Sequence, residues 1–205
     1  MATWAMTALK IFGSTTSPYV RRVRIVTSEL GIATEWTDTS TDGGQAELRA
    51  LSPIWKVPVA RIDQQLIYDS AQINRMVLAR WGNGTLLRYD ELQPDDINLI
   101  MVIDGALDAL INSFYLSKDG ITPATSPYVK KQHERASASL AWLEQRVKGP
   151  YLGRVEQFGL CEIALISALD WMRLRNTFDV DSLPGLSACA AAHATRPSIK
   201  STTPS

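Results

Sequence analysis

Two hydrophobic periods alternate along the first part of the chain. Residues 8–12, Ala-Leu-Lys-Ile-Phe, read as a short strand, and a polar turn, Gly13-Ser14-Thr15-Thr16-Ser17, follows it. Pro18 then opens a segment in which Val20, Val23, Val26 and Leu30 recur at helical spacing. Serine before proline is a helix start and Gly31 a helix stop, so the spacing predicts a strand, a turn and a helix. Arg21, Arg22 and Arg24 are expected mostly on the solvent side of that helix. Residues 34–38 predict a second strand, Asp42-Gly43-Gly44 a loop, and residues 45–51 a short helix ended by Ser52-Pro53. Residues 57–62 and 66–68, joined by an Asp63-Gln64-Gln65 turn, read as a hairpin. Asp69-Ser70 starts a helix running to about Trp81. The order βαβαββα closes most simply as a sheet mixing parallel and antiparallel strands.

After Gly82-Asn83-Gly84 the strand signals stop. A long helix is predicted over residues 95–116, with Pro94 in its first turn and a broad apolar face that includes Leu99, Val102, Ile103, Ala106, Leu110 and Phe114. Further helices are predicted over 127–148, 160–175 and 186–195, with Gly149-Pro150 and Pro184-Gly185 as punctuation. The expected organisation is an α/β domain over residues 1–82, a linker over 83–91 and an all-helical domain over 92–205.

Composition narrows the function classes. The 205 residues carry 21 basic and 21 acidic side chains, a formal net charge of zero, which gives no broad electrostatic footprint for nucleic acid or an anionic membrane. Cys161 and Cys189 are too few and too far apart for a disulfide framework or a zinc site, and read as two buried thiols in a reducing compartment. The N-terminus lacks the basic-then-apolar pattern of a secretory signal, and no run of 18 apolar residues occurs. A cytoplasmic, non-membrane protein is expected, its first six or so residues a loose extension.

Four local motifs then stand in order: Ser-Pro-Tyr-Val-Arg-Arg-Val-Arg at 17–24, Ser-Pro-Ile-Trp-Lys-Val-Pro-Val at 52–59, Tyr-Asp-Ser at 68–70 and Phe-Gly-Leu-Cys-Glu-Ile-Ala-Leu at 158–165. Singly each is weak. Together, at these spacings and on an α/β half joined to an all-helical half, they make the chain resemble the glutathione S-transferase family over nearly its whole length. The resemblance implies a thioredoxin-like, glutathione-binding domain at 1–82 and a helical domain at 92–205 that lines the second-substrate pocket.

Ser17 is, from its position alone, an N-cap. The resemblance adds a second role, a hydroxyl that hydrogen-bonds the glutathione thiolate at a helix N-terminus, where partial positive charge lowers a thiol pKa. Family members with serine before this proline conjugate, and members with cysteine there do thiol-disulfide or deglutathionylation chemistry. Ser14 is the strongest rival for the role, ahead of Thr15 and Thr16. The resemblance further implies a cis Val57-Pro58 peptide whose Val57 backbone pairs with the cysteinyl backbone of glutathione, with Lys56 near the glycyl carboxylate. Asp69 and Ser70 would hold the γ-glutamyl end, besides capping their helix. Trp55 departs from the small or flexible residue common in relatives.

Gly159-Leu160-Cys161-Glu162 replaces the usual Ser/Thr-x-x-Asp box, and Glu162 is assigned to folding. Asp104 and Asp108 share a helix face. One of them, with Asn112 or Tyr115, serves the second-substrate pocket or a dimer contact, or else forms a plain polar edge; Tyr19 is a further pocket candidate. His133 and His193 lack metal-like spacing, and no metal is expected. The implied protein is a homodimer that needs no cofactor beyond glutathione as co-substrate. It adds the thiolate to a small apolar electrophile, a detoxifying transfer; glutathione-dependent isomerisation, lysis or dehalogenation, and non-catalytic carriage, remain open.

Overall fold

The computed structural model describes residues 9–88, 93–153 and 155–204. Ala8, the N-terminal extension and residues 89–92 of the expected linker lie outside them. The elements are β1 (Leu9–Gly13), α1 (Pro18–Glu29), β2 (Thr34–Asp38), α2 (Asp42–Leu51), β3 (Val59–Ile62), β4 (Gln65–Tyr68), α3 (Ser70–Trp81), α4 (Pro94–Lys118), α5 (Pro127–Glu144), α6 (Leu160–Arg175), α7 (Pro184–Ala192) and α8 (Pro197–Ser201). They fall into two compact units, one holding the chain up to Thr85 together with Pro197 onward, the other Leu86–Arg196.

The first unit is built on a four-stranded sheet in the order β2-β1-β3-β4. β1 runs parallel to β2 and antiparallel to β3, and β3 and β4 form the hairpin, so the expected mixed sheet is present. Ile11, Phe12, Val20, Val23, Val59, Ala60, Ile73 and Val77 are fully buried and form its core between sheet and helices. α1 starts where Ser17 caps it, with Pro18 at the first helical position and Leu30 as C-cap; Gly31 follows at φ +65°, where a glycine is conformationally free.

Several details differ from expectation. α2 begins at Asp42, three residues early, because Thr41 Oγ1 accepts a hydrogen bond from the Gly44 N–H at 3.1 Å. Gly44 is needed there for close approach, since a Cβ would lie 1.9 Å from the Asp38 carbonyl oxygen. β3 begins at Val59 rather than Val57, for Pro58 has no N–H to give a ladder. Two of the three arginines of α1 are not solvated: Arg21 is 1% and Arg22 4% exposed, while Arg24 is half-buried. The cause, for Arg21, is α8, a helix that lay beyond the periodic signals. Arg21 Nε donates to Thr202 Oγ1 and Nη2 to the Ile199 carbonyl, each at 3.4 Å, and the Ser198 hydroxyl donates to the Glu29 carboxylate. Residues 197–204 thus belong to the first unit, not to the helical domain expected over 92–205.

In the second unit α4 packs against α5 and α6. Among the described residues α4 alone is long and apolar enough to cross a membrane, with a mean hydropathy of 1.6, a property shared by core helices. Its buried stripe, Leu99, Ile103, Ala106, Leu107 and Leu110, faces those neighbours. α6 is buried on every side from Cys161 to Leu169. Glu162, 1% exposed, reaches back to the Gly159 N–H at 3.0 Å and also accepts from the N–H groups of Leu152 (3.0 Å) and Gly153 (3.2 Å). Glycine at 159 has a packing reason, because a Cβ there would sit 2.8 Å from Leu87 Cβ. α5 stops at Glu144, short of Lys148, which bridges to Tyr151 instead, and α7 opens two residues early with Pro184 at its first position.

Candidate functional site

The register of the sheet decides which loops meet. Phe12 of β1 lies opposite Val59 of β3, and Val59 lies opposite Tyr68 of β4. Because β3 is antiparallel to both neighbours, the end of β1, the start of β3 and the end of β4 fall at one edge of the sheet. The turn carrying Ser14 and Ser17, the Lys56-Val57-Pro58 segment and the Asp69-Ser70 pair therefore emerge side by side. Strands spaced about 4.8 Å apart put the first and third of these roughly 10 Å apart.

At the first position Ser17 caps α1: its Oγ accepts from the Val20 N–H at 3.3 Å, and its own N–H donates to the Ser14 carbonyl at 3.2 Å. An oxygen that accepts keeps its hydroxyl proton for another acceptor. Ser17 is half-buried, and no acidic side chain lies in the first turn of α1 to offset the helix dipole. Ser14 is also half-buried, with its Oγ 3.5 Å from Thr16 Oγ1. The Arg22 guanidinium lies 4.9 Å from the centre of the half-buried Tyr19 ring.

In the middle the Val57–Pro58 peptide bond is cis. Pro58 is buried and Val57 half-buried against a cluster of Phe12, Leu48 and Val59, which Leu51 and Tyr68 also join. Tyr68 Oη donates to the Leu51 carbonyl at 3.1 Å, tying the end of α2 to β4; nothing in the sequence marks that tie. Among the described residues neither the N–H nor the C=O of Val57 has a hydrogen-bond partner. Lys56 is exposed with no carboxylate beside it among those residues. Trp55 is 62% exposed at φ +51°, and the Arg49 guanidinium lies 5.2 Å from its ring centre.

At the third position Asp69 caps α3, its Oδ1 accepting from the Gln72 N–H at 2.9 Å. Its φ of +60° is a conformation aspartate tolerates better than most residues. Ser70 is 4% exposed at the first helical position, and its hydroxyl has no partner among the described residues. Free backbone and hydroxyl donors at a helix N-terminus make a carboxylate site.

Residues 11–83 match the family profile described as glutathione S-transferase, N-terminal domain. This stretch is thus similar to the N-terminal domain of glutathione S-transferases. The chain as a whole has the glutathione S-transferase fold, a thioredoxin-like domain followed by helices. A glutathione S-transferase from Methylobacillus flagellatus KT, solved with glutathione bound, is 25% identical, with a TM-score of 0.82 over 97% of this chain and 100% of that one. A bacterial Zeta-class maleyl pyruvate isomerase shares the fold at 16% identity, TM-score 0.77, covering 95% and 96% of the two chains. The uncharacterised GST-like protein YibF of Escherichia coli K12 is 26% identical over 172 residues, 82% of this chain and 83% of that protein.

The remaining candidates lie in the second unit. Asp108, Asn112 and Tyr115 are exposed on α4; the Tyr115 ring stands 5.5 Å from that of Phe114, and Asp104 is half-buried. Both cysteines are buried and inert. Burial, with Glu162 and Asp96 nearby, raises the Cys161 pKa far above the ordinary thiol range, and burial with Glu162 pushes the Cys189 thiol up to about 12. His193 is buried, with Nε2 2.7 Å from the Pro150 carbonyl, and therefore donates to it. Among the described residues no group of three or more His, Cys, Asp or Glu side chains is placed to hold a metal.

Proposed function

We propose that this chain is a cytoplasmic, homodimeric glutathione transferase that adds the glutathione thiolate to a small apolar electrophile. The observation that carries the reading is the alignment of three unsatisfied polar positions along one sheet edge: the Ser17 hydroxyl proton, the Val57 backbone and the Ser70 hydroxyl. Their span of roughly 10 Å equals the reach of a three-residue extended peptide at about 3.4 Å per residue. Val57 adds the cysteinyl residue as a strand partner, the Ser70 hydroxyl and α3 N-terminus take the γ-glutamyl carboxylate, and Lys56 takes the glycyl carboxylate.

With the tripeptide so placed, its sulfur falls at the start of α1. The helix dipole and the Ser17 O–H favour the thiolate, which is the attacking species. The thiol proton leaves to solvent, the sulfur forms a bond to the electrophilic carbon, and the leaving group departs with the bonding pair. Ser17 forms no covalent bond.

Capture on immobilised glutathione, followed by a spectrophotometric conjugation assay with an activated aryl halide, tests the reading, with Ser17→Ala alongside. Ser17→Ala is expected to bind glutathione as wild type does and to turn over about a hundredfold more slowly. Tight binding without turnover on any electrophile class replaces the enzyme with a carrier. Turnover only of an isomerisable unsaturated acid replaces transfer with isomerisation.

A further inference from the structure

A cleft of about 570 Å³ opens in the first unit between α1, β2 and α8. Its volume is in the roughly 300–1,000 Å³ range of small-molecule sites. Thr27 and Thr202, both buried, line it together with Arg24, Ser28, Thr34 and Trp36; Ser17, Val57 and Ser70 do not. Among the described residues no carboxylate lines it, and Arg24 is its one charged side chain.

Arg24 is half-buried. Its guanidinium lies 5.5 Å from the Trp36 ring centre, and Nη2 donates to the Ser201 carbonyl at 3.3 Å. Among the described residues no carboxylate pairs with it. Burial first, then the neighbouring charge of Arg21, lower its pKa, yet a guanidinium stays protonated throughout the physiological range. A partly desolvated cation is thus left without a counter-charge, a cost that an anion in the cleft removes. The Ser28 and Thr34 hydroxyls stand exposed at the rim with no hydrogen bond to another described side chain. The cleft is several times larger than a bare oxyanion needs, and hydroxyls plus an indole suit a polyhydroxylated ring.

We propose that this cleft binds a sugar phosphate, its phosphate on Arg24, Ser28 and Thr34 and its ring against Trp36. The site is independent of the glutathione reading. Because a nucleotide offers the same phosphate and sugar, the ligand panel separates the two sources.

Isothermal titration of the whole protein with glucose 6-phosphate, AMP, glucose and inorganic phosphate tests it. Glucose 6-phosphate is expected to bind at least about tenfold more tightly than glucose or inorganic phosphate. Arg24→Gln should weaken it by about tenfold or more, and Ser28→Glu, a change at an exposed position that supplies an internal carboxylate, should abolish it. Glutathione affinity should be unchanged in both variants. AMP binding more tightly than glucose 6-phosphate, with the same variant losses, keeps the phosphosugar site and assigns it to nucleotides. No heat from either ester, equal affinity for inorganic phosphate, or esters indifferent to both substitutions overturns the proposal.

Discussion

Two helix starts in this molecule use capping in opposite ways. At the start of α6 the Glu162 carboxylate, 1% exposed, accepts three backbone N–H groups, from Leu152, Gly153 and Gly159. At the start of α1 the half-buried Ser17 accepts one, at 3.3 Å, and keeps its proton. The saturated start has nothing left to offer a ligand, and serves the fold. The undersaturated start leaves a hydroxyl proton and an uncompensated helix dipole at the sheet edge where Val57 and Ser70 also end. The proposed glutathione site lies at the start where capping is incomplete.

Removing Glu162 should produce the largest effect. Glu162→Ala leaves three buried donors unpaired at roughly 1–3 kcal/mol each, so a stability loss of about 3 kcal/mol or more is expected. Urea denaturation measures it, and titration calorimetry on the folded fraction should show glutathione affinity untouched. A loss below about 1 kcal/mol breaks the contrast.

Ser17→Ala should reverse the pattern, costing about 1 kcal/mol of stability as a lost cap while turnover falls about a hundredfold. Ser14→Ala is the control. If it slows turnover more than Ser17→Ala does, the thiolate partner is Ser14. Ser70→Ala comes next: its hydroxyl supports nothing within the described fold, so thermal stability should hold while glutathione binds about tenfold more weakly, roughly one charge-assisted hydrogen bond.

The last effect concerns the helical unit and is confined to alkaline pH. A free thiol ionises near pH 8.5, whereas Cys189 is pushed up to about 12 by burial and by Glu162. The folded state therefore holds a proton that the unfolded chain releases. The stability Cys189 contributes is complete below about pH 8 and is lost progressively as pH rises from 9 toward 12. Chemical denaturation of Cys189→Ala across that range should show a flatter alkaline decline than wild type; parallel curves exclude this linkage.

Much of this was legible in the chain. Ser17-Pro18, Asp69-Ser70 and Gly31 place helix ends by local chemistry, and the structure puts those ends where the residues predict. Leu99, Ile103, Ala106 and Leu110 mark the buried stripe of α4 by spacing alone. The Asp42-Gly43-Gly44 stretch misled because glycine usually marks a loop, whereas Gly44 is there to let α2 approach the Asp38 carbonyl. Arg21 misled for a different reason: arginine between apolar positions reads as a solvated face until another segment supplies acceptors, and Thr202 and Ile199 lie 181 and 178 residues away.

The sequence by itself determined the order of strands and helices, the caps, and the pairing of an α/β half with a helical one. These depend on neighbours within a turn or a hairpin, where contacts are enforced by chain geometry. The tertiary structure alone decided that Ser17, Val57 and Ser70 share one sheet edge, that Arg21 is buried beneath α8, and that Arg24 has no carboxylate partner among the described residues in a hydroxyl-lined cleft. Those outcomes rest on strand register and on contacts between distant segments, which no local pattern encodes.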